Sequence, residues 1–122
     1  MKTYAKGARN ERELLHFLNY KGFSCVRAAS SGGHLTPVDI VAMKNGRVLC
    51  LEIKAWAKKP KLERKKLERF KNWCENAGAM GFLAWRARNE WLFLPLKDAE
   101  NNRYEDENWI AMENFMNVMM IE

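Results

Sequence analysis

Long apolar runs are missing from this chain of 122 residues, and none approaches the roughly 20 residues that a membrane helix needs. No signal-peptide pattern opens the sequence. Cysteine is also scarce. The three residues, Cys25, Cys50 and Cys74, are an odd number without metal-type spacing, and each lies in an apolar segment. We therefore expect reduced packing cysteines in a cytoplasmic protein that has no membrane partner.

Several signatures of enzyme chemistry are absent as well. The sequence has no Ser-His-Asp set, no P-loop, no GxGxxG fingerprint and no Cys/His zinc spacing. His34 stands alone in a loop, which is typical of a surface residue, and it is left out of the catalytic set. None of these chemistries competes with the acidic site described below, and no small-molecule substrate is indicated.

The charge of the chain is unevenly distributed. With 48% hydrophobic and 30% charged residues, the composition is that of an ordinary globular domain. Residues 1–97 hold 20 Lys or Arg against 8 Asp or Glu, whereas residues 98–122 hold 1 against 7. The body is therefore strongly basic and the tail acidic, which indicates a polyanion as the partner of the body.

The most informative stretch of the chain runs from Asp39 to Lys54, DIVAMKNGRVLCLEIK. Two apolar runs flank Asn45-Gly46, a dipeptide that favours a two-residue type I′ turn because both central positions need positive φ. Counting outward from this turn places Asp39 opposite Glu52, with their Cβ atoms about 5 Å apart. Lys54 leans from the same face as Glu52, because alternate strand residues share a face.

Facing acids destabilise a hairpin unless a cation neutralises them, and their hard oxygens suit Mg²⁺ or Mn²⁺. The Ile53 carbonyl is a possible further ligand. Such a cation would activate a water molecule and stabilise charge on a phosphate, while Lys54 would orient or deprotonate the water or shield the transition state. The alternative is an edge hairpin with solvated acids; apolar residues on both faces favour the buried pair.

A helix is predicted from Lys6 to about Tyr20, ended by Lys21-Gly22. Glu11 lies three, four and seven positions before the leucines of the core stripe, so it projects from the same face. It is either a third acid for the site or an acid in the first turn favoured by the helix dipole. Arg9 and Arg12 are expected to be solvated or to face phosphate.

The remaining pattern predicts an α/β fold with a mixed five-stranded sheet flanked by helices. Strands are expected at 23–27, on both sides of the turn, at 80–86 and at 91–96, with a right-handed parallel crossover between 49 and 85. A second helix from Lys58 to about Ala77 follows the hairpin, and its basic face is expected to contact phosphates. The residues assigned to this contact are Lys58, Lys59, Lys61, Lys65 and Lys66.

Two further segments complete the pattern. The small-residue loop 28–37 can follow a phosphodiester backbone closely or serve only as a connector. We place a boundary after residue 97: the core domain is 1–97, and 98–122 is an acidic appendage in the same domain or a dimer contact. Within it, Trp109, Met112, Phe115, Met116 and Met119 predict a short amphipathic helix.

Asp39 followed by Glu52-Ile53-Lys54 resembles the Asp…Glu-x-Lys signature of the PD-(D/E)xK nuclease superfamily, whose core is restriction-endonuclease-like. Further matches are Lys6-Gly7-Ala8-Arg9-Asn10-Glu11-Arg12-Glu13-Leu14, Gly22-Phe23…Val26-Arg27, Ser31-Gly32-Gly33 and Pro37-Val38-Asp39-Ile40. Together they resemble the archaeal-type Holliday junction resolvases (Hjc family) over about residues 5–96. Beyond about Leu96 nothing matches, and one residue separates the usual Pro-Asp pair.

The resemblance implies a homodimeric, Mg²⁺-dependent endonuclease that nicks opposite strands of a four-way DNA junction, with Mn²⁺ able to substitute. Its metal-site acids correspond to Glu11, Asp39 and Glu52, and its catalytic lysine to Lys54. The DNA-contacting arginines correspond to Arg12 and Arg27. A loop serine that assists catalysis or backbone binding corresponds to Ser31, beside Gly32 and Gly33.

A dimer-associated aromatic of some relatives falls near Trp73, and Phe70 of the same stripe is taken with it. Such a protein would act at the nucleoid, or in the host cytoplasm if it is viral. Two other readings stay open at this point. The chain could be a nuclease of the same superfamily that cuts flaps, ends or duplex DNA, or a basic nucleic-acid-binding domain that never cleaves.

Overall fold

The structure is a computed structural model that describes residues 2–28 and 36–120. Its elements in chain order are α1 (Lys2–Tyr20), β1 (Ser24–Arg27), β2 (Ile40–Lys44), β3 (Arg47–Lys54), α2 (Arg64–Ala77), β4 (Met80–Ala87), β5 (Glu90–Pro95), α3 (Leu96–Glu100), a 3₁₀ turn (Asp106–Asn108), β6 (Ile110–Ala111) and α4 (Met112–Met120). None of the described helices is long and apolar enough to cross a membrane.

The predicted hairpin is present with the predicted register. Asn45 and Gly46 have φ values of 50° and 82°, as a type I′ turn requires. Lys44 pairs with Arg47, and the ladder runs to the pair of Ile40 with Leu51. The ladder thus ends one position before the acids, and alternation along β3 puts Glu52 on the face that Val41 and Cys50 share.

Within the described residues the sheet has six strands in the order β1-β2-β3-β4-β5-β6, one more than expected. The added strand, β6, is the two-residue Ile110–Ala111, too short for an alternating pattern to be visible in the sequence. Strands β3 and β4 are parallel, as expected for the crossover through α2, and the other described pairs are antiparallel.

The second helix begins at Arg64, so the predicted start at Lys58 is wrong. The segment before it packs as irregular chain: Pro60 is buried, the Leu62 N–H donates to the Tyr104 hydroxyl at 3.4 Å, and Lys59 pairs with Asp106 at 2.6 Å. These contacts hold the segment against the tail, which overrides its helical propensity. The helix ends as predicted, with Gly78 in the left-handed conformation at φ 65°.

Two apolar layers cover the two faces of the sheet. One face packs against α1 and α4, around Leu14, Leu18, Leu51 and Phe93. The other packs against α2 and α3, around Cys50, Phe70 and Leu83. Because Cys50 belongs to the second layer, Glu52 and Lys54 emerge on the α2 side at the end of β3.

The described part of the tail packs onto the body. Phe115 is fully buried, its ring stacked on Phe93 with centroids 3.9 Å apart and meeting Phe82 edge-on at 5.0 Å. The predicted amphipathic helix is α4, but Trp109 lies before it, in the chain leading into β6. Its buried ring joins the layer on the α2 side.

Candidate active site

Asp39 and Glu52 are the two buried charged residues among those described, 6% and 5% exposed. Asp39 lies where the chain enters β2, and Glu52 lies near the end of β3. Burying a carboxylate is unfavourable unless it is paired, so two such groups at one end of the β2–β3 hairpin need specific compensation. The surrounding residues provide part of that compensation.

Asp39 is held through the backbone of β3. Its carboxylate Oδ2 accepts the Ile53 N–H at 2.7 Å, and its own N–H donates to the Leu51 carbonyl at 2.8 Å. Since the N–H and C=O of one strand residue point to the same side, the Ile53 carbonyl also faces the Asp39 side. The predicted backbone ligand is therefore placed beside the predicted carboxylate ligand.

Glu52 is in contact with two ammonium groups. Lys54 Nζ lies 3.1 Å and Lys66 Nζ 3.6 Å from the same oxygen, Glu52 Oε2. Lys54 is the predicted catalytic lysine, two residues along β3, whereas Lys66 reaches over from the first turn of α2. Sequence reasoning placed Lys66 among the phosphate-contacting lysines and missed its contact with the acidic pair, because nothing local connects α2 to Glu52.

Glu11 approaches from the other layer. The helix α1 places its side chain, 17% exposed, against β1, where Arg27 Nε donates to Glu11 Oε1 at 2.8 Å. The inward-facing position predicted from helical spacing is thus observed. Arg27, expected to contact DNA, is engaged with this carboxylate.

The three acids act on one another electrostatically. Burial raises the pKa of Glu52, and the charge of Asp39 raises it further, while Lys54 and Lys66 oppose the shift. Burial likewise raises the pKa of Glu11, followed by the charge of Asp39, and Arg27 and Arg12 oppose it. Asp39 therefore repels both of the other acids, and a positive charge placed between them would relieve that repulsion.

In the part of the chain that the structure describes, no group of three or more His, Cys, Asp or Glu side chains has the arrangement of a metal site. The ion pairs account for this absence, since Glu11 is turned towards Arg27 and Glu52 towards Lys54 and Lys66, at 2.8–3.6 Å. The donor set nonetheless fits a hard divalent cation, because two buried carboxylates and a backbone carbonyl share one strand end. Rotation of the Glu11 and Glu52 side chains is what such binding would need.

Most of the described residues that were predicted to contact DNA are exposed. Arg9, Arg12, Lys58, Lys59, Lys61 and Lys65 are exposed. The expectations for Ser31, Gly32 and Gly33 fall outside the described residues. The exposed lysines lie in the segment after β3 and at the start of α2, close in sequence to Lys54 and Lys66, and one of them, Lys59, is paired with Asp106.

The two aromatic residues assigned to a dimer differ in exposure. Phe70 is 1% exposed and packs in the layer on the α2 side of its own subunit. Trp73 is half-buried at the margin of the same layer. Of the two, Trp73 is the side chain that a second copy could contact.

A mixed sheet that carries Asp39 and the Glu52-Ile53-Lys54 strand end is the arrangement of a PD-(D/E)xK nuclease core. The family model of the archaeal Holliday junction resolvase (Hjc) matches residues 2–120. The chain therefore belongs to the Hjc family. The match extends well past Leu96, so the tail, in which the sequence alone offered nothing to compare, is part of the family pattern.

Individual relatives agree with this assignment. The chain is 35% identical over 92 residues to the crossover junction endodeoxyribonuclease Hjc of Methanocaldococcus jannaschii, covering 75% of this chain and 66% of that protein. The protein of the same name from Sulfolobus acidocaldarius is 30% identical over 91% of this chain and 79% of its own length. The solved structure of Archaeoglobus fulgidus Hjc, a Holliday junction resolvase, matches with a TM-score of 0.65 and 32% identity, over 75% of this chain and 74% of that one.

Proposed function

We propose that this protein is a structure-selective DNA endonuclease that introduces paired nicks across four-way junctions by metal-dependent phosphodiester hydrolysis. The observation that carries the proposal is the buried pair Asp39 and Glu52 with Lys54 3.1 Å from Glu52, in a chain of the Hjc family. Basic charge around the acids supports a polyanionic substrate.

Asp39, Glu52 and the Ile53 carbonyl would hold a divalent cation, Mg²⁺ with Mn²⁺ as a substitute, and Glu11 would add a carboxylate. Such a cation, when bound, supplies Lewis-acid stabilisation of the charge on a phosphate. The Lys54 ammonium would stabilise charge on the scissile phosphate, and its position 3.1 Å from Glu52 Oε2 supports this role. In the hydrolysis a water oxygen bonds to phosphorus and one P–O ester bond breaks.

Substrate binding would be divided between the site and its basic surroundings. Arg9, Arg12, Lys58, Lys59, Lys61 and Lys65 would contact phosphates, with Arg27 and Lys66 nearer the acids. Ser31, Gly32 and Gly33 are proposed to follow the DNA backbone, with Ser31 assisting catalysis. The protein would act on branched DNA in the cytoplasm, at the nucleoid or in a host cell.

A homodimer is part of the proposal, because one site makes one nick and a junction needs two related nicks. Trp73 is the candidate contact residue, with Phe70 supporting it from the core. Residues 98–122 are proposed to belong to the same domain as residues 1–97, since Phe115 is fully buried against β5.

The test is cleavage of a mobile four-way junction, a linear duplex and a flap of equal strand length, with and without Mg²⁺. We expect paired nicks near the branch point that disappear in Asp39→Asn and Glu52→Gln while junction binding persists. Equal cleavage of the linear duplex would contradict junction selectivity, and full activity of both variants would contradict the site.

A further inference from the structure

An exposed tryptophan lies directly beside the catalytic lysine. Trp56 follows Lys54 by two residues and is 49% exposed. The Lys54 ammonium lies 5.2 Å from the centroid of the Trp56 ring. One ammonium group therefore connects the ring to the Glu52 carboxylate, from which it is 3.1 Å away.

The backbone that carries Trp56 is hydrogen-bonded to β4. The indole N–H of Trp85 donates to the Trp56 carbonyl at 2.9 Å. Trp85 in turn packs edge-on against the buried Trp109, with centroids 5.4 Å apart. The exposed ring is thus presented from a loop anchored in the core, which lowers the entropy cost of ordering it against a ligand.

The surroundings of the ring are cationic. Exposed Lys58 follows it along the chain, and Lys66 lies beside Glu52, whereas Lys59 is paired with Asp106. A flat apolar ring among ammonium groups is complementary to a nucleotide, whose base is a π surface and whose phosphate is an anion.

We propose that Trp56 is a stacking platform for a nucleobase at the branch point, next to the phosphate that is cut. This inference deepens the proposed function and rests on it. In a continuous duplex every base is paired and stacked, so exposing one costs a few kcal/mol, and the cost is least where the base is already unpaired or unstacked. The ring would therefore favour branched over linear DNA, without preference for a particular base.

The experiment measures binding of a fluorescent four-way junction and of a linear duplex in buffer without Mg²⁺, for the parent chain and for Trp56→Ala, Trp56→Phe and Trp56→Leu. Loss of one base-stacking contact should weaken junction binding about 5- to 150-fold in Trp56→Ala, with a much smaller effect on the duplex. Trp56→Phe should recover most of the affinity, whereas Trp56→Leu should not, because leucine lacks a π face.

Tyr20→Ala serves as the matched control. Tyr20 is an exposed aromatic, 85% accessible, nine residues after Glu11 and hence about 13 Å further along α1. This variant should bind and cut junctions like the parent. A junction carrying 2-aminopurine at the branch point gives a second readout, since stacking on an aromatic ring changes its emission. The change should occur with the parent and Trp56→Phe and be absent with Trp56→Ala.

Two results would overturn the inference. The first is Trp56→Ala binding the junction as tightly as the parent with the same 2-aminopurine response. The second is unchanged binding with slower cleavage, which would mean that the ring acts only through Lys54. Failure of the parent itself to cut junctions would instead overturn the proposed function, so the two failures are distinguishable.

Discussion

Replacing Asp39 by asparagine should stabilise the metal-free protein and abolish its response to Mg²⁺. Asparagine keeps an oxygen for the Ile53 N–H, so the variant removes the charge while retaining the 2.7 Å contact. Two like unit charges about 5 Å apart repel by about 3 kcal/mol at an effective dielectric constant of 20. Because Lys54 and Lys66 already offset part of this, we expect a gain of about 1–2 kcal/mol in unfolding free energy.

The sign follows from the raised pKa of Glu52. An acid whose pKa is higher in the folded state costs stability when the pH is above that pKa, and costs nothing below its unfolded value. Removing the Asp39 charge lowers the pKa of Glu52 and so reduces the cost at neutral pH. Mg²⁺ at 100 times its Kd should stabilise the parent by about 2.7 kcal/mol and leave the variant unchanged.

The assay is urea unfolding at pH 7, followed by the fluorescence of the five tryptophans, in EDTA and in Mg²⁺. Asp106→Asn is the matched control, because it removes an acid whose side chain is 93% exposed and should change stability by less than about 1 kcal/mol. A variant that is less stable than the parent in EDTA and still stabilised by Mg²⁺ would show that Asp39 neither repels Glu52 nor binds the ion.

Three further results are expected. Mg²⁺ affinity, measured by thermal shift, should begin to fall above the ordinary glutamate pKa of 4.5 on acidification, because burial and the charge of Asp39 raise the pKa values of Glu11 and Glu52; a constant affinity down to that pH would contradict the site. Lys54→Met should reduce the single-turnover cleavage rate about 100- to 1,000-fold. Lys66→Met should reduce it less, because its ammonium is 3.6 Å from Glu52 and its side chain 34% exposed; the reverse order would assign the catalytic role to Lys66. Light scattering should give a dimer on junction DNA, and a strictly monomeric species would contradict the paired-nick proposal.

Local patterns in the sequence were sufficient for the hairpin and its register. Asn45-Gly46 determines the turn, and a two-residue loop fixes every pair outward to Ile40 and Leu51. Helical spacing was likewise sufficient to predict that the Glu11 side chain faces inward. These features depend on residues close in sequence, so little tertiary information is needed.

Three features that depend on distant contacts were not predicted. Helix α2 begins at Arg64 and not at the predicted Lys58, because the chain between them packs on Tyr104 and Asp106 from the tail. Strand β6 has two residues and exists through its pairing with β5. The approach of Lys66 to Glu52 results from how α2 lies on the sheet, which periodicity does not determine.

Diffraction from a crystal soaked in Mn²⁺ would show whether the acids hold a metal ion, because anomalous scattering locates the ion without assumptions about its ligands. We expect one peak bounded by the Asp39 and Glu52 carboxylates and the Ile53 carbonyl, with Glu11 turned from Arg27 towards it. Saturating Mn²⁺ that leaves this position empty, with the Glu11–Arg27 and Glu52–Lys54 pairs intact, would contradict this expectation.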